Sequence, residues 1–215
     1  KLLHIKAEAR SDIGACIWPV RIRRMMKMLR RGEAFRNRAK RLLAEKKKLS
    51  AAWLQAASPI TAEIMAKAGF DILMVDMEHG PGDIMNLISQ MQAISHYEAV
   101  PFVRAPWNDF VTIKRILDAG VSGILVPYVN NAEEAARAVS ACKYPLEGIR
   151  GIAPSPRAGG YGMNQRDYLD YANEELDVLV AVETKTAVDH IEEIVGTNGL
   201  DGIFIGPMDL ATSFG

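Results

Sequence analysis

From Ser50 to the end of the chain, short apolar runs rich in β-branched residues alternate with longer stretches of helical period. The runs are Ala51–Ala57, Asp71–Val75, Val100–Arg104, Gly123–Val129, Val178–Glu183 and Gly202–Ile205. Between them lie Ile60–Ala68, Ile84–Ser95, Val111–Asp118, Ala132–Cys142 and Ala187–Val195. Apolar runs of this length separated by helices describe βα units around a buried parallel sheet.

An internal echo strengthens the reading. Ala68-Gly69-Phe70-Asp71-Ile72-Leu73-Met74-Val75 resembles Ala119-Gly120-Val121-Ser122-Gly123-Ile124-Leu125-Val126 and Asn198-Gly199-Leu200-Asp201-Gly202-Ile203-Phe204-Ile205. In each, a glycine that tolerates the left-handed region ends a helix and the chain turns into a strand. Six such strands predict a (β/α)8 TIM barrel, with a doubly wound open sheet as the alternative. No G-x-G-x-x-G follows any of the strands, which argues against a dinucleotide fold.

Composition narrows the class. At 49% hydrophobic and 24% charged, with 26 basic and 26 acidic residues, the chain reads as globular rather than disordered. Cys16 and Cys142 are too few for a disulfide framework, and no apolar run reaches the ~18 residues of a membrane helix. A cytoplasmic location without a membrane partner is expected. The neutral total hides a split: residues 1–50 hold 16 Lys/Arg and 4 Asp/Glu, and the remainder 10 and 22. Residues 1–49 are therefore read as a basic leader with a helix over Arg30–Lys48, and residues 50–215 as the barrel domain. A nucleic-acid arm and an Arg-rich transit peptide are the other readings of the leader. The preferred reading is a leader of about two dozen residues of non-native or upstream sequence followed by a solvated helix with Leu42 and Leu43 inward, because no aromatic stacking pattern accompanies the charge.

In α/β barrels the chemistry is built at the carboxyl ends of strands. There the chain offers Asp76-Met77-Glu78-His79-Gly80-Pro81, Arg104-Ala105-Pro106-Trp107-Asn108-Asp109, Glu183-Thr184-Lys185 and Gly206-Pro207-Met208-Asp209. Two carboxylates without nitrogen or sulfur partners suit a hard divalent cation. An Arg beside it can neutralise an oxyanion, and His79 has the chemistry of a general base. Each residue also has a structural reading. Glu183 or Asp209 can cap the next helix, His79 can be a hydrogen-bonded loop residue, and Arg104 can pair with Asp76 or Glu78.

With Gly148-Ile149-Arg150-Gly151 added, these motifs resemble, in order and spacing, the HpcH/HpaI aldolases, metal-dependent class II pyruvate aldolases that cleave 2-keto-3-deoxy acids. The resemblance implies that Glu183 and Asp209 hold Mg²⁺, Mn²⁺ or a similar ion, and that Arg104 stabilises the pyruvate enolate. It makes His79 the base for the substrate's 4-hydroxyl, and Asp118 the acid that raises the basicity of that His. Gly206, Pro207, Met208 and Asp209 would touch the pyruvate moiety. Members commonly carry Gln two residues before the metal Glu; here that position is Ala181, which implies altered pyruvate contacts. The implied partners are a keto acid, an aldehyde and further copies of the chain in a homohexamer. A CoA-thioester lyase of the citrate lyase β or malyl-CoA type is the alternative on the same barrel. A Schiff-base aldolase using Lys185 is another, and a non-enzymatic nucleic-acid binder using the basic arm a third.

Two further expectations concern the chain's extent. The stretch Gly148–Gly162, with Arg150 and Arg157, reads either as a lid that recognises an acidic aldehyde or as a surface loop. A full barrel needs ~250 residues, so six strands ending at Gly215, in a chain that opens on Lys1, predict a fragment truncated after the sixth strand.

Overall fold

Six strands form one parallel sheet in sequential order: β1 (Ala51–Leu54), β2 (Ile72–Asp76), β3 (Val100–Arg104), β4 (Gly123–Val126), β5 (Asp177–Val182) and β6 (Gly202–Ile205). The structure is a computed structural model and describes residues 36–215, so Cys16 and residues 1–35 of the leader reading lie outside the described residues. The helices are α1 (Arg38–Ala44), α2 (Pro59–Lys67), α3 (Ile84–Ile94), α4 (Phe110–Asp118), α5 (Ala132–Cys142), α6 (Gln165–Glu175), α7 (Lys185–Asp189), α8 (Ile191–Val195) and α9 (Pro207–Phe214). The predicted βα alternation is present. β1 and β4 end three residues earlier than expected, and the expected single helix after β5 breaks at His190 into α7 and α8.

The helix stops work as the echo predicts. Gly69, Gly120 and Gly199 take φ of +92°, +87° and +83°, each between a helix end and the next strand. Helix starts are fixed by short polar side chains that accept a backbone N–H: Ser58, Asp83, Asp109, Asn131 and Thr184.

Strand residues alternate between two apolar layers. Leu73, Val75, Val103, Ile124, Val126, Val178, Val180 and Val182 face the helices, packing with Ile113, Ile116, Leu117 and Ile194. Ile72, Met74, Val100, Phe102, Leu125 and Ala181 form the other layer, with Leu179 and Phe204 against it. The sheet curls around this second layer. Trp53 of β1 and Phe204 of β6 lie at opposite ends of the strand order, yet their rings meet edge to face at 5.6 Å.

Two segments depart from the sequence reading. α1 is shorter than the expected Arg30–Lys48 helix within the described residues, and Leu43 is exposed; its buried side consists of Asn37 and Ala39. Asn37 donates to the carbonyls of Ser122 and Glu175 and to Asp177, sealing the end of the sheet where β4 and β5 begin. α6 was not foreseen, because Ala172 alone among its residues is buried and it carries no apolar stripe.

Burial pushes the Asp177 carboxyl up to about 6; Asp201 adds to this, and Lys40, the Asn37 hydrogen bond and Lys143 oppose it. A carboxyl whose pKa rises on folding stabilises the fold most at low pH. That contribution, on the order of 2–3 kcal/mol, is lost as pH climbs from about 4 to 6. Urea unfolding at several pH values checks this. Asp177→Asn should gain stability relative to wild type between pH 4 and 7, and parallel curves would contradict the assignment.

Candidate active site

The same alternation that builds the inner layer carries polar groups to its top. Continuing the inward series by one step on each strand leads from Met74 to Asp76, from Phe102 to Arg104, from Ala181 to Glu183 and from Phe204 to Gly206. β1 gives Trp53 and then Gln55. The strand exits therefore converge on one interior end.

Asp76 and Arg104 are register partners across β2 and β3. Arg104 Nε donates to Asp76 Oδ1 at 3.0 Å and Nη2 to Oδ2 at 2.6 Å, while Nη1 lies 3.1 Å from Glu78 Oε2. Gln55 Nε2 donates to Asp76 Oδ2 at 2.9 Å. The face of the guanidinium sits 4.5 Å from the Trp53 ring centroid. Burial alone would raise the Asp76 carboxyl; hydrogen bonds from Arg104, Gln55 and the His79 backbone, with the Arg104 charge, hold it at about 2. Burial raises Glu78, as do nearby Glu183 and Asp76, against the pull of Arg104 and His79. The reading of Arg104 as a salt-bridge residue is thus realised with both partners. A guanidinium has five N–H groups, so these pairs leave donors on Nη1 and Nη2.

His79 follows β2 in a loop held by Asp76, whose Oδ1 accepts the backbone N–H of Glu78 at 3.1 Å and of His79 at 3.2 Å. Its ring is largely exposed, with Nε2 3.7 Å from Glu78 Oε2. The backbone pins the loop and the imidazole is free to meet a substrate.

Glu183 is 3% exposed and does not cap the next helix, since Thr184 does. Its Oε2 accepts the N–H of Tyr128 at 2.9 Å. On its other side the chain passes so close that a Cβ on Gly206 would lie 2.6 Å from Glu183 Cγ and 2.8 Å from Oε1. Gly206 also donates to the Val182 carbonyl at 3.1 Å and begins α9, with Pro207 and Met208 exposed and Asp209 half-buried in the first turn. The structure thus brings Glu183 and the Gly206–Asp209 turn to one place. Ala181 is fully buried in the inner layer one step below Glu183.

Among the described residues no group of three or more His, Cys, Asp and Glu side chains is gathered to hold a metal ion. The donor set still fits a hard divalent cation. Glu183 and Asp209 would supply carboxylate oxygens, leaving further positions to water and substrate oxygens.

Asp118 is not brought to His79 within this chain. It ends α4, at the end of the sheet where strands begin, and its Oδ1 is 3.1 Å from Arg150 Nη2. Arg150 is 1% exposed, stacks 4.3 Å from the Tyr144 ring centroid and donates to the Tyr168 hydroxyl. Arg157 donates to the Ala119 carbonyl at 2.8 Å. Both arginines of the Gly148–Gly162 stretch tie it to the end of α4, so of the two expected readings the surface loop, and not the aldehyde-recognising lid, matches these contacts. Lys185 is exposed at the first position of α7. Asp76 and Glu78 enter the sequence reading only as partners of Arg104, and Gln55 and Trp53 are the members of the cluster that it missed. Gln55 and Trp53 share the inward parity of β1, but parity alone does not show that they meet Arg104 and Asp76.

Comparison with known proteins identifies the family. The family model for HpcH/HpaI aldolase/citrate lyase matches residues 49–215. The chain is 44% identical over 183 residues to 5-keto-4-deoxy-D-glucarate aldolase of Enterobacter sp. (strain 638), covering 85% of this chain and 71% of that one. Its fold superposes on an HpcH/HpaI aldolase/citrate lyase family protein from Burkholderia cenocepacia J2315 with a TM-score of 0.80 at 40% identity, covering 83% and 72% of the two chains. An HpcH/HpaI aldolase from Desulfitobacterium hafniense DCB-2 gives 0.75 at 28% identity, covering 81% and 68%. The chain belongs to the HpcH/HpaI aldolase/citrate lyase family, and it is a carbon–carbon lyase of the metal-dependent aldolase type.

Proposed function

We propose that the chain cleaves 5-keto-4-deoxy-D-glucarate, or a closely similar 2-keto-3-deoxy acid, reversibly to pyruvate and an aldehyde. The observation that carries this reading is the convergence of Glu183, the Gly206–Asp209 turn and the Arg104 ion-pair cluster on one inward-facing strand end. The relatives' activity supplies the substrate class.

Aldol cleavage needs a base at the hydroxyl beside the scissile bond and a sink for the electrons left on the pyruvate fragment. The exposed ring of His79 is the base: it takes the hydroxyl proton, and the oxygen's electrons form the aldehyde carbonyl as the carbon–carbon bond breaks. The bond electrons pass into the enolate, whose negative oxygen the remaining Arg104 donors would neutralise. The proton taken by His79 returns, through water, to the enolate carbon, which gives pyruvate and restores the neutral imidazole. Glu183 and Asp209 would hold the divalent cation, which when bound would supply Lewis-acid polarisation of the keto acid. Asp76, Glu78 and Trp53 fix the guanidinium so that it needs little reorganisation as charge develops. Ala181 leaves the pyruvate without the amide donor common at that position.

The wider assignments belong to the same proposal. Six strands are read as the greater part of a (β/α)8 barrel of the pyruvate-binding type, in a cytoplasmic homo-oligomer, hexameric by resemblance.

A coupled assay of pyruvate release from 5-keto-4-deoxy-D-glucarate tests the reading. Activity should require Mg²⁺ or Mn²⁺ and vanish with EDTA, with Glu183→Gln or with Asp209→Asn. Arg104→Ala should lower the rate by roughly 10²–10³ and His79→Ala by roughly 10²–10⁴. EDTA-resistant activity with a borohydride-trapped pyruvate adduct would replace the metal reading by Schiff-base chemistry at Lys185.

A further inference from the structure

We infer that Tyr128 is a positioning residue for the metal site, acting through its backbone: a left-handed conformation aims its N–H at Glu183 and fixes how that carboxylate is presented. The inference rests on the reading of Glu183 as a metal ligand.

The loop after β4 carries a conformation that its residue type disfavours. Tyr128 has φ +55°, in the left-handed region where a Cβ crowds the following carbonyl. Its side chain has no short polar group to bond the local backbone and offset that cost. Instead the loop is held by its own Asn130 and from outside by β5, the helix after it, α5 and the loop after β3. Val129, fully buried, donates to the Ala181 carbonyl at 3.4 Å. Asn130 Nδ2 donates to the Tyr128 carbonyl at 3.0 Å, and Asn130 Oδ1 accepts from the Thr184 hydroxyl. The Asn130 N–H donates to Glu134 Oε2 at 2.8 Å. The ring of Tyr128 lies 6.0 Å from that of Trp107.

The product of this arrangement is one hydrogen bond, from Tyr128 N–H to Glu183 Oε2 at 2.9 Å. With Oε2 engaged and the chain at Gly206 so close that only a residue without Cβ leaves room for Cγ and Oε1, the carboxylate is held from two sides. A ligand with fixed orientation loses less freedom on binding a cation than a free one. Strain held at a binding site by surrounding contacts is the kind of feature that function retains. The left-handed turn, rather than the phenol ring, is therefore the functional property of position 128.

The test separates backbone from side chain by Mn²⁺ binding to the purified chain, read by electron paramagnetic resonance of the free ion. Tyr128→Gly removes the ring but favours the left-handed region, so affinity should stay within about threefold of wild type. Tyr128→Val removes the ring and disfavours that region, so affinity should fall roughly tenfold, because the competent loop becomes a minor population. Should Y128V not fold, Y128T against Y128N gives the same contrast, with Asn the tighter binder. Equal weakening in Y128G and Y128V, or wild-type affinity in Y128V or Y128T, would overturn the inference. Glu183→Gln is the control: retention of Mn²⁺ binding there overturns the ligand assignment itself, whereas its loss alongside an unaffected Y128V overturns only the role of Tyr128.

Discussion

A charged pair buried between two adjacent parallel strands is costly unless its geometry is nearly ideal, and in this protein the ends of β2 and β3 meet that condition. Asp76 and Arg104 are opposite one another in register and share two hydrogen bonds, with the Asp76 side chain wholly inaccessible to solvent. Slipping either strand by one residue would leave a buried carboxylate and a buried guanidinium unpaired, a penalty of about 3–5 kcal/mol. The pair therefore reinforces the register that the apolar layers already favour. It also organises the neighbourhood: the second lone pairs of Asp76 hold the backbone of Glu78 and His79, so the ion pair sets both the Arg104 fork and the position of the His79 loop.

The two ends of the sheet do different work. At the carboxyl end the inward side chains are Gln55, Asp76, Arg104 and Glu183, with Gly206 giving Glu183 room. At the opposite end, Asn37 of α1 seals the start of β4 and β5, and Arg150 ties the long connection before α6 to Asp118. Burial holds the Cys142 thiol up at about 12, which leaves it a packing residue rather than a nucleophile. Asp118 belongs to this second group within one chain, so its resemblance to the acid that supports the catalytic His is not expressed as a contact with His79 here.

How far the sequence could be read follows from this division. The strands, the glycine stops and the exits that carry His79, Arg104, Glu183 and Asp209 were legible, because period-two burial and left-handed glycines leave marks on neighbouring residues. Asp76 was visible only as a possible partner of Arg104; its control of the His79 loop depends on backbone donors that carry no residue identity. Trp53 over Arg104 and Tyr128 beside Glu183 join strands distant in sequence, and nothing in either local pattern announces the contact. α6 escaped for the opposite reason, since a helix that buries one alanine shows no periodicity. The lid reading of Gly148–Gly162 weighed the arginine charges without their partners, and those partners, Asp118 and the Ala119 carbonyl, lie at the far end of α4.

The proposed function requires this strand-end cluster to stabilise a pyruvate enolate through a carboxylate-held cation and Arg104. Proton exchange of pyruvate itself isolates that step from the aldehyde partner. In deuterated buffer with Mg²⁺, the wild-type chain should erase the methyl signal of pyruvate in the proton NMR spectrum. The exchange should stop on addition of EDTA and slow by roughly 10²–10³ in Arg104→Ala. Exchange that continues at the wild-type rate after EDTA, or in the Arg104 variant, would rule out enolate stabilisation by a held cation and Arg104.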